Sequence, residues 1–333
     1  MLSNSMDFAY LQVVRICNQK CIFCAQPSNG MIQSFETMKD QIEGYINQWF
    51  WWLILNGWEP TLHKDLAQII AYAKSRWLQV KLITNGILLK EKNRARDYTE
   101  AWLDQIHISI HSYIEHVENA LMRWEVFWSQ IRWLMNMIRA KRRIPIWINI
   151  ALNRYNVGHL SKTVLFFLKL WVDGFIINNL EITGVYPEYL KGLLFPLNQL
   201  RDELTRALSH IREYKKVARV SRVPMCYLRW FEDFSRDIEY YVLNERRYVH
   251  YLSGEDDAEK VDFISDEGNW QNTEWNVVNV RKCRTESCTH CDLKNMCSWY
   301  DLLEYFPGTN PLIPQKVDNE EMQRILEKIV WKK

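Results

Sequence analysis

The sequence predicts an α/β protein, a partial (β/α)6 TIM-like barrel followed by a small cysteine-rich C-terminal domain. Three observations predict this fold class. Short segments rich in Val, Ile and Leu alternate with helical patterns over the first 200 residues, no G-x-G-x-x-G follows any of these segments, and five of the eight cysteines lie after residue 220. Alternating strands and helices form right-handed βαβ units around a parallel sheet.

Six segments are predicted as strands because each is rich in branched apolar residues and too short for a buried helix. They are Tyr10–Ile16, Leu53–Asn56, Gln79–Thr84, Gln105–Ile110, Pro145–Ala151 and Phe175–Leu180. Helical patterns lie between them, at Thr37–Gln48, Leu66–Arg76, Ala95–Leu103, Val126–Arg139 and Leu160–Leu170. An open Rossmann-like sheet is the competing architecture, and the lack of a glycine motif after any strand argues against it.

The pattern changes near residue 198. A long charged helix near Leu200–Lys215 is followed by irregular segments and by a loop-rich stretch, Lys282–Pro307, which holds the last four cysteines. We therefore expect two domains, a barrel core over residues 1–200 and a smaller cysteine-rich domain over residues 201–333.

Charge and composition narrow the class of protein. The 42 basic and 40 acidic residues give a formal net charge of +2, which offers no electrostatic basis for binding nucleic acid or an anionic membrane. The apolar runs are too short to span a bilayer, and residues 1–10 lack the basic start and apolar stretch of a secretion signal. We expect a cytoplasmic protein. Because that compartment is reducing, its cysteines indicate metal ligands or redox chemistry rather than disulfides.

Cys17, Cys21 and Cys24 form the first cysteine cluster. Three residues separate the first pair and two the second, and the cluster follows the first predicted strand. It therefore lies at the carboxyl edge of the sheet, where parallel barrels place their active sites. Three thiolates on a short loop can bind three irons of a four-iron cluster and leave the fourth iron open. A structural zinc site would need a fourth protein ligand nearby, and none is close in the sequence.

The spacing of these three cysteines, with Phe23 before the last of them, resembles the signature of the radical S-adenosylmethionine (radical SAM) enzymes. The resemblance implies a [4Fe–4S] cluster held by Cys17, Cys21 and Cys24, whose open iron chelates the amino and carboxylate groups of SAM. It implies reductive cleavage of SAM to methionine and a 5′-deoxyadenosyl radical, which abstracts hydrogen from a substrate. It also implies that Phe23 lies near the adenine.

A second segment, at the end of the second predicted strand, resembles the Gly-Gly-Glu-Pro segment of the same family, which contacts the amino group of the methionine moiety. Gly57, Glu59 and Pro60 match this segment, and Trp58 replaces its second glycine. A glycine lets the backbone approach a ligand, whereas an indole tends to block it. Either the site is rearranged, or position 58 is not tryptophan in the native protein.

Later strands supply further candidate cofactor contacts. Ser109 and His111 end the fourth strand and resemble the corresponding strand of the family, with strand alternation deciding which side chain faces the cofactor. A hydrogen-bonded core edge is the alternative role for His111. Asn149 on the fifth strand is a candidate for ribose or carboxylate contacts. His63 and His107 are predicted to be structural.

The remaining cysteines form a C-terminal set: Cys226, Cys283, Cys288, Cys291 and Cys297. Its last three members resemble the SPASM and twitch extensions of radical SAM enzymes, which carry auxiliary iron–sulfur clusters. Five cysteines suffice for one fully ligated auxiliary cluster and not for two, so the smaller twitch-like arrangement is favoured, with Cys226 or Cys283 as fourth ligand. A zinc ribbon is the alternative, since four cysteines in this spacing also suit tetrahedral zinc.

The balance of glycine and tryptophan is unusual. The chain has 11 glycines and 16 tryptophans, and both Trp77 and Trp171 stand between a helical pattern and a strand. Such helix ends favour a left-handed residue without a Cβ atom, which is a glycine position. Two interpretations stay open: a tryptophan-rich protein, or tryptophans at codons that the source organism decodes as glycine.

The resemblance to SPASM and twitch proteins implies modification of a peptide or protein side chain, and this is the first functional hypothesis. Small-molecule or nucleotide chemistry, similar to that of the molybdenum-cofactor cyclases, is the second. A non-catalytic iron–sulfur or zinc-binding protein is the third, which Trp58 keeps open. The expected partners are a peptide, protein or small-molecule substrate and an electron donor such as ferredoxin or flavodoxin. No membrane partner is expected, and nothing points to nucleic acid.

Overall fold

A computed structural model describes residues 8–24, 30–90, 92–139, 142–180, 192–236, 288, 290–293, 297 and 315–330. Their central feature is one seven-stranded sheet whose strand order follows the chain order. All neighbouring strands are parallel, so each connection is a crossover. The predicted α/β fold class is confirmed.

The seven strands are short and each ends at the same edge of the sheet: β1 (Phe8–Val14), β2 (Trp52–Gly57), β3 (Gln79–Thr84), β4 (Gln105–Ser109), β5 (Ile146–Leu152), β6 (Gly174–Asn179) and β7 (Val217–Ser221). The α-helices of the described residues are α1 (Phe35–Asn47), α2 (Leu66–Ser75), α3 (Lys92–Glu100), α4 (Glu115–Met122), α5 (Phe127–Ile138), α6 (Leu160–Lys169), α7 (Leu197–Glu213) and α8 (Asn319–Val330). None of the helices in this described part of the chain is long and apolar enough to cross a membrane.

Three elements were not predicted: β7, α4 and the C-terminal helix α8. The strand β7 pairs with β6 and extends the sheet past residue 200, where the sequence analysis placed the end of the barrel core. Its sequence, VARVS, has Arg219 and Ser221 at alternate positions and no run of more than two apolar residues. The helix α4 spans only 8 residues, too few for a clear periodic pattern.

The two faces of the sheet differ in polarity. Outward residues such as Leu11, Leu55, Leu82 and Ile148 are fully buried, as expected where helices cover a parallel sheet. The residues between them face inward and are partly polar. At the open side of the sheet, Arg236, which follows β7, donates a hydrogen bond of 3.3 Å to the Tyr10 hydroxyl of β1. The two edge strands are thus brought towards each other, as in a partial barrel.

The helix α7 shows how the outer layer is fixed. Leu200, Leu204, Leu208 and Ile211 recur at a spacing of three or four residues and are all fully buried. Each buried Leu or Ile side chain contributes roughly 1.5–3 kcal/mol of hydrophobic stabilisation. This stripe packs mainly against α6, so the crossover that leads to β7 is anchored in the core.

Several helix ends have an unusual composition. Eight residues other than glycine in the described part of the chain have positive φ angles, and five of these are tryptophans: Trp49, Trp77, Trp102, Trp171 and Trp230. The first four follow α1, α2, α3 and α6. The expectation of left-handed backbone at Trp77 and Trp171 is therefore confirmed, with φ angles of 67° and 64°.

Candidate active site

The loop that follows β1 carries Cys17, Cys21 and Cys24 at the carboxyl edge of the sheet. The backbone N–H of Ile22 donates to the carbonyl oxygen of Leu121 at 2.9 Å, which joins the loop to the end of α4. Within the loop, the backbone N–H of Gln19 lies 3.4 Å from the Cys17 sulfur, and that of Cys24 donates to the carbonyl of Cys21. The predicted position of this cluster is thus confirmed by the strand arrangement.

Cys17 and Cys21 are partly buried, which disfavours their free thiolates, whereas Cys24 is exposed. Burial raises the pKa of Cys17, and burial with the neighbouring Cys24 and Cys17 raises the pKa of Cys21 to about 12. Thiols of this kind become stable thiolates when a cation binds them. In the described residues, no three His, Cys, Asp or Glu side chains are placed to hold a single metal ion. A four-iron cluster is compatible with this spacing, since it binds each thiolate through a different iron.

Gly57 and Trp58 bring the end of β2 close to β1. Gly57 has a φ of 123°, and a Cβ atom at this position would lie 2.3 Å from the carbonyl oxygen of Val14. The backbone N–H of Trp58 donates to the same oxygen at 3.0 Å, and its half-buried indole lies 5.8 Å from the Arg15 guanidinium. Only glycine fits at position 57.

Glu59 is fully buried, and its carboxylate binds the protein itself. One oxygen accepts from the Thr61 N–H at 3.1 Å, from the Thr61 hydroxyl and from the Thr84 hydroxyl at 2.6 Å. The other accepts from the Asn85 N–H at 2.7 Å. Burial nevertheless raises its pKa. The side chain therefore fixes the loop that begins with the buried Pro60.

Asn85 connects the end of β3 to the cysteine loop. Its amide nitrogen donates to the Asn18 side-chain oxygen at 2.8 Å and lies 3.9 Å from the Cys17 sulfur. The Gln130 amide in turn donates to the carbonyl oxygens of Asn85 and Ser109, each at 3.0 Å. The ends of β1, β3 and β4 are thus held together by side-chain amides.

His111 and Phe23 form an aromatic pair at this edge, with ring centroids 4.6 Å apart and an edge-on arrangement. The His111 Nδ1 accepts from the Ala151 N–H at 3.0 Å, whereas Nε2 has no partner in the described residues. Burial lowers the pKa of His111 to about 3, so the ring is neutral. Beneath it, Glu118 accepts from the backbone N–H groups of His111 and Ser112, and burial raises its pKa to about 8.

Ser109 and Asn149 occupy paired positions in β4 and β5. The Asn149 side-chain oxygen accepts from Asn178 of β6 at 3.2 Å, so this amide points into the barrel. Register and alternation place Ser109 on the same inner face. The sequence analysis thus selected side chains that the fold brings together inside the barrel.

Other inward residues were not selected. Lys81, His107 and Arg219 also lie on the inner face, at a deeper level or on a later strand. His107 was predicted to be structural, but neither of its ring nitrogens has a hydrogen-bond partner among the described residues. His63 does fulfil a structural role, since its Nε2 lies 2.8 Å from the Gln33 carbonyl oxygen. Polar residues at alternate positions in apolar strands are the sequence signal that would have found the first three.

Part of the C-terminal cysteine set lies against the core. Cys226, Cys291 and Cys297 pack against it, and the Met225 N–H lies 3.5 Å from the Cys297 sulfur. The backbone N–H of Cys291 donates to the carbonyl of Cys288 at 3.1 Å. Cys283 lies outside the described residues.

Comparison with known proteins identifies the family of this domain. The model of the radical SAM superfamily matches residues 11–167, a range that holds the cysteine loop, the Gly57–Pro60 segment and the first five strands. Residues 11–167 belong to the radical SAM superfamily. Its members are enzymes that use SAM and a [4Fe–4S] cluster, so the radical SAM domain implies both cofactors for this chain.

Relatives of this chain include a probable GTP 3′,8-cyclase of Sulfurisphaera tokodaii, which is 26% identical over 222 residues, covering 62% of this chain and 69% of the relative. The structure of Streptococcus suis SuiB bound to SAM is 17% identical with a TM-score of 0.52, covering 62% of this chain and 48% of SuiB. The structure of anSMEcpe with bound SAM and the Cp18Cys peptide is 16% identical with a TM-score of 0.51, covering 72% of this chain and 66% of that protein. The chain thus spans about half the length of SuiB, and both structures show the shared fold.

Proposed function

We propose that this chain cleaves SAM reductively to methionine and a 5′-deoxyadenosyl radical, which abstracts a hydrogen atom from a substrate. The observation that carries the proposal is the placement of exactly three cysteine thiols at the carboxyl edge of a partial parallel barrel, with the next cysteine of the sequence at position 226. Cys17, Cys21 and Cys24 would hold a [4Fe–4S] cluster with one iron open. That cluster supplies the electron for cleavage and a binding point for SAM.

The protein residues have binding and positioning roles. The loop at Gly57 and Trp58 presents backbone groups beside the cysteine loop, where the methionine moiety is expected. Phe23 and His111 offer an aromatic pair for the adenine, and the neutral His111 retains one ring nitrogen, Nε2, for a hydrogen bond. Ser109 and Asn149 on the inner face are candidates for the ribose or carboxylate groups.

The substrate is proposed to be a peptide or protein side chain. Supporting this choice, the C-terminal cysteines resemble the extensions of peptide-modifying radical SAM enzymes, and three of them, Cys226, Cys291 and Cys297, pack on the core. These thiols, with Cys283 or Cys288, are the proposed ligands of an auxiliary iron–sulfur cluster. A cytoplasmic ferredoxin or flavodoxin is the proposed electron donor.

A nucleotide or another small molecule is the second candidate substrate. It is favoured by the relative from Sulfurisphaera tokodaii, a probable GTP 3′,8-cyclase. The cations inside the barrel, Lys81 and Arg219, also suit an anionic substrate better than an uncharged side chain. Incubation with GTP, compared with incubation with candidate peptides encoded by neighbouring genes, separates the two, since only the true substrate increases the rate of SAM cleavage.

The core proposal is tested by anaerobic reconstitution with iron and sulfide, reduction with dithionite and quantification of 5′-deoxyadenosine and methionine. The wild-type protein is expected to form both products in equal amounts. The triple variant Cys17→Ala/Cys21→Ala/Cys24→Ala is expected to form neither. Lack of products from reconstituted, folded wild-type protein would overturn the proposal.

The auxiliary cluster is tested on the same triple variant, whose remaining metal belongs to the C-terminal cysteines. About four irons per chain are expected for a four-iron auxiliary cluster. Zinc without iron would instead assign a tetrahedral zinc site to the tail, and the radical SAM proposal would stand unchanged.

A further inference from the structure

The interior of the barrel contains polar side chains at three neighbouring levels. Lys81 of β3, His107 of β4 and Arg219 of β7 face inward, since the residues beside them in each strand are apolar and buried. The Lys81 ammonium lies 4.9 Å from the ring centroid of Phe8, two strands away. These side chains share the interior with aromatic rings, since Lys81 also lies over Trp52 and Arg219 lies over Trp147, which stacks on His107.

His107 has unmet hydrogen-bonding capacity in this space. It is 2% exposed, and both ring nitrogens lack a partner among the described residues. A neutral imidazole carries one donor and one acceptor, and buried polar groups are nearly always hydrogen-bonded in folded proteins. Asn56 and Ser221 also face inward, and each has one buried side-chain oxygen with no hydrogen-bond partner among the described residues. A bound ligand would satisfy these atoms.

The charged side chains that the seven described strands contribute to the interior are positive. The seven strands contain Lys81 and Arg219 and no Asp or Glu. Burial lowers the pKa of His107 well below its usual value, and the positive charges of Lys81, Arg219 and Arg236 lower it further. The imidazole is therefore neutral and able to donate, in a region whose potential attracts anions.

We infer that the barrel interior between Lys81, His107 and Arg219 binds an oxyanion of the substrate, a carboxylate or a phosphate. The inference rests on the proposed function, because it names the substrate class of that site. Lys81 and Arg219 supply charge-assisted hydrogen bonds, and His107 supplies a neutral donor.

The position of this anion site also orients the substrate. His107 precedes Ser109 by two residues in β4, so it lies about 7 Å deeper in the barrel than the cofactor edge. A substrate held at its anionic end by this site presents a carbon several bonds away to the adenosyl radical. The inference therefore predicts hydrogen abstraction at a carbon that does not bear the anion.

Isothermal titration of the reconstituted holoenzyme with inorganic triphosphate and, separately, with citrate tests the site. We expect at least one of these probes to bind. Lys81→Gln and Arg219→Gln are each expected to weaken that binding tenfold or more, while Arg219→Lys restores part of it. Lys169→Gln and Arg132→Gln, which remove exposed cations, are the matched controls and are expected to leave binding unchanged.

If triphosphate binds more tightly than citrate, the substrate oxyanion is assigned as a phosphate. If citrate binds more tightly, it is assigned as a carboxylate. Failure of both probes to bind, or equal weakening by the control variants, overturns the inference. Circular dichroism shows whether the buried Lys81→Gln variant folds, and the half-buried Arg219→Gln variant keeps the test decisive if it does not. Formation of 5′-deoxyadenosine by the same wild-type preparation separates this failure from failure of the proposed function.

A different observation carries a second inference. Trp49, Trp77, Trp102 and Trp171 stand at the ends of four helices, and each continues with the same pair of backbone bonds. At α2, the Trp77 N–H donates to Lys74 at 3.0 Å and the Leu78 N–H donates to Ala73 at 3.2 Å. This is the Schellman motif, whose left-handed residue is usually glycine.

The four indoles gain little from these positions. Their relative exposures are 78%, 87%, 63% and 69%, whereas three of the residues that follow them, Leu78, Leu103 and Val172, are almost fully buried. Three of the four sites thus have the buried apolar residue that accompanies the motif, and all four carry a large exposed side chain at the position that favours glycine.

We infer that Trp49, Trp77, Trp102 and Trp171 are glycine in the protein as its source organism makes it, because their codon is decoded as glycine there. The same decoding at Trp58 would give two successive glycines before Glu59 and remove the indole from the cofactor loop. Tandem mass spectrometry of peptides from the protein purified from its source tests this directly. Glycine at the four positions is expected, and tryptophan at them overturns the inference.

Discussion

The Glu59 carboxylate accepts a hydrogen bond of 2.7 Å from the backbone N–H of Asn85, so that one buried side chain ties the end of β2 to the end of β3. Asn85 in turn reaches the cysteine loop through Asn18. The segment that is expected to contact SAM and the loop that is expected to hold the cluster are therefore fixed relative to each other by a short chain of contacts.

Glu59→Gln is expected to lower the free energy of unfolding by about 1–3 kcal/mol. Both Glu59 oxygens accept hydrogen bonds, and the amide NH2 of glutamine would place a donor where one of these acceptors lies. Chemical denaturation with urea measures this change. The exposed Glu36→Gln variant is the control and is expected to change stability by less than about 0.5 kcal/mol. If Glu59→Gln leaves the free energy of unfolding unchanged, this hydrogen-bond network does not stabilise the loop.

Gly57→Ala is expected to lower the free energy of unfolding by at least about 2 kcal/mol, since its Cβ atom meets the Val14 carbonyl oxygen and its φ is positive. Gly44→Ala is the matched control. Gly44 lies inside α1 with open space around it, so alanine is expected to stabilise the protein by roughly 0.5–1 kcal/mol. Equal effects of the two substitutions would contradict the tight packing of β1 against β2.

Glu118 predicts a pH dependence of stability. Its pKa is raised to about 8 in the folded protein from an ordinary value of 4.5. The folded state therefore holds a proton that the unfolded state releases, and this contribution is complete below about pH 4.5 and is lost as the pH rises towards about 8. The unfolding free energy of wild type is expected to fall across this range, by at most about 1.4 kcal/mol per pH unit from this group.

The Glu118→Gln variant is expected to show a smaller fall over the same pH range. The exposed Glu115→Gln variant, on the same helix, is the control and is expected to keep the wild-type slope. Parallel pH profiles for wild type and Glu118→Gln would mean that the buried carboxyl does not titrate there.

Trp77→Gly is expected to raise the free energy of unfolding of the recombinant protein by roughly 1 kcal/mol, because it relieves a left-handed residue with a Cβ atom. Trp128 is 63% exposed but lies in α5, so Trp128→Gly is expected to lower stability by up to about 1 kcal/mol. Thermal unfolding of the two variants compares the two positions. A loss of stability at position 77 equal to that at position 128 would contradict the backbone argument.

The sequence predicts the parallel barrel and the cysteine loop well because both depend on local patterns. The strands β2 to β6 are short segments rich in Val, Ile and Leu, and Cys17, Cys21 and Cys24 lie within eight residues. The strand β7 escaped prediction because Arg219 and Ser221 interrupt its apolar pattern, and their inward orientation depends on pairing with β6.

The deeper part of the candidate site could not be predicted for a similar reason. Lys81, His107 and Arg219 are far apart in the sequence, and only the register of the strands shows that they share one interior. The hydrogen bonds of the buried Glu59 could not be predicted either, since Thr84 is the last residue of β3 and Asn85 follows it. The left-handed residues were predictable, because a helix end followed by a strand needs one.

Electron paramagnetic resonance of the reduced, reconstituted protein with and without SAM tests the central claim, that Cys17, Cys21 and Cys24 leave one iron free to bind SAM. We predict a [4Fe–4S] signal in the wild-type protein whose shape changes when SAM is added. The Cys17→Ala/Cys21→Ala/Cys24→Ala variant is predicted to show no such change. A wild-type spectrum that is the same with and without SAM, or a SAM-dependent change that persists in the triple variant, would contradict the assignment.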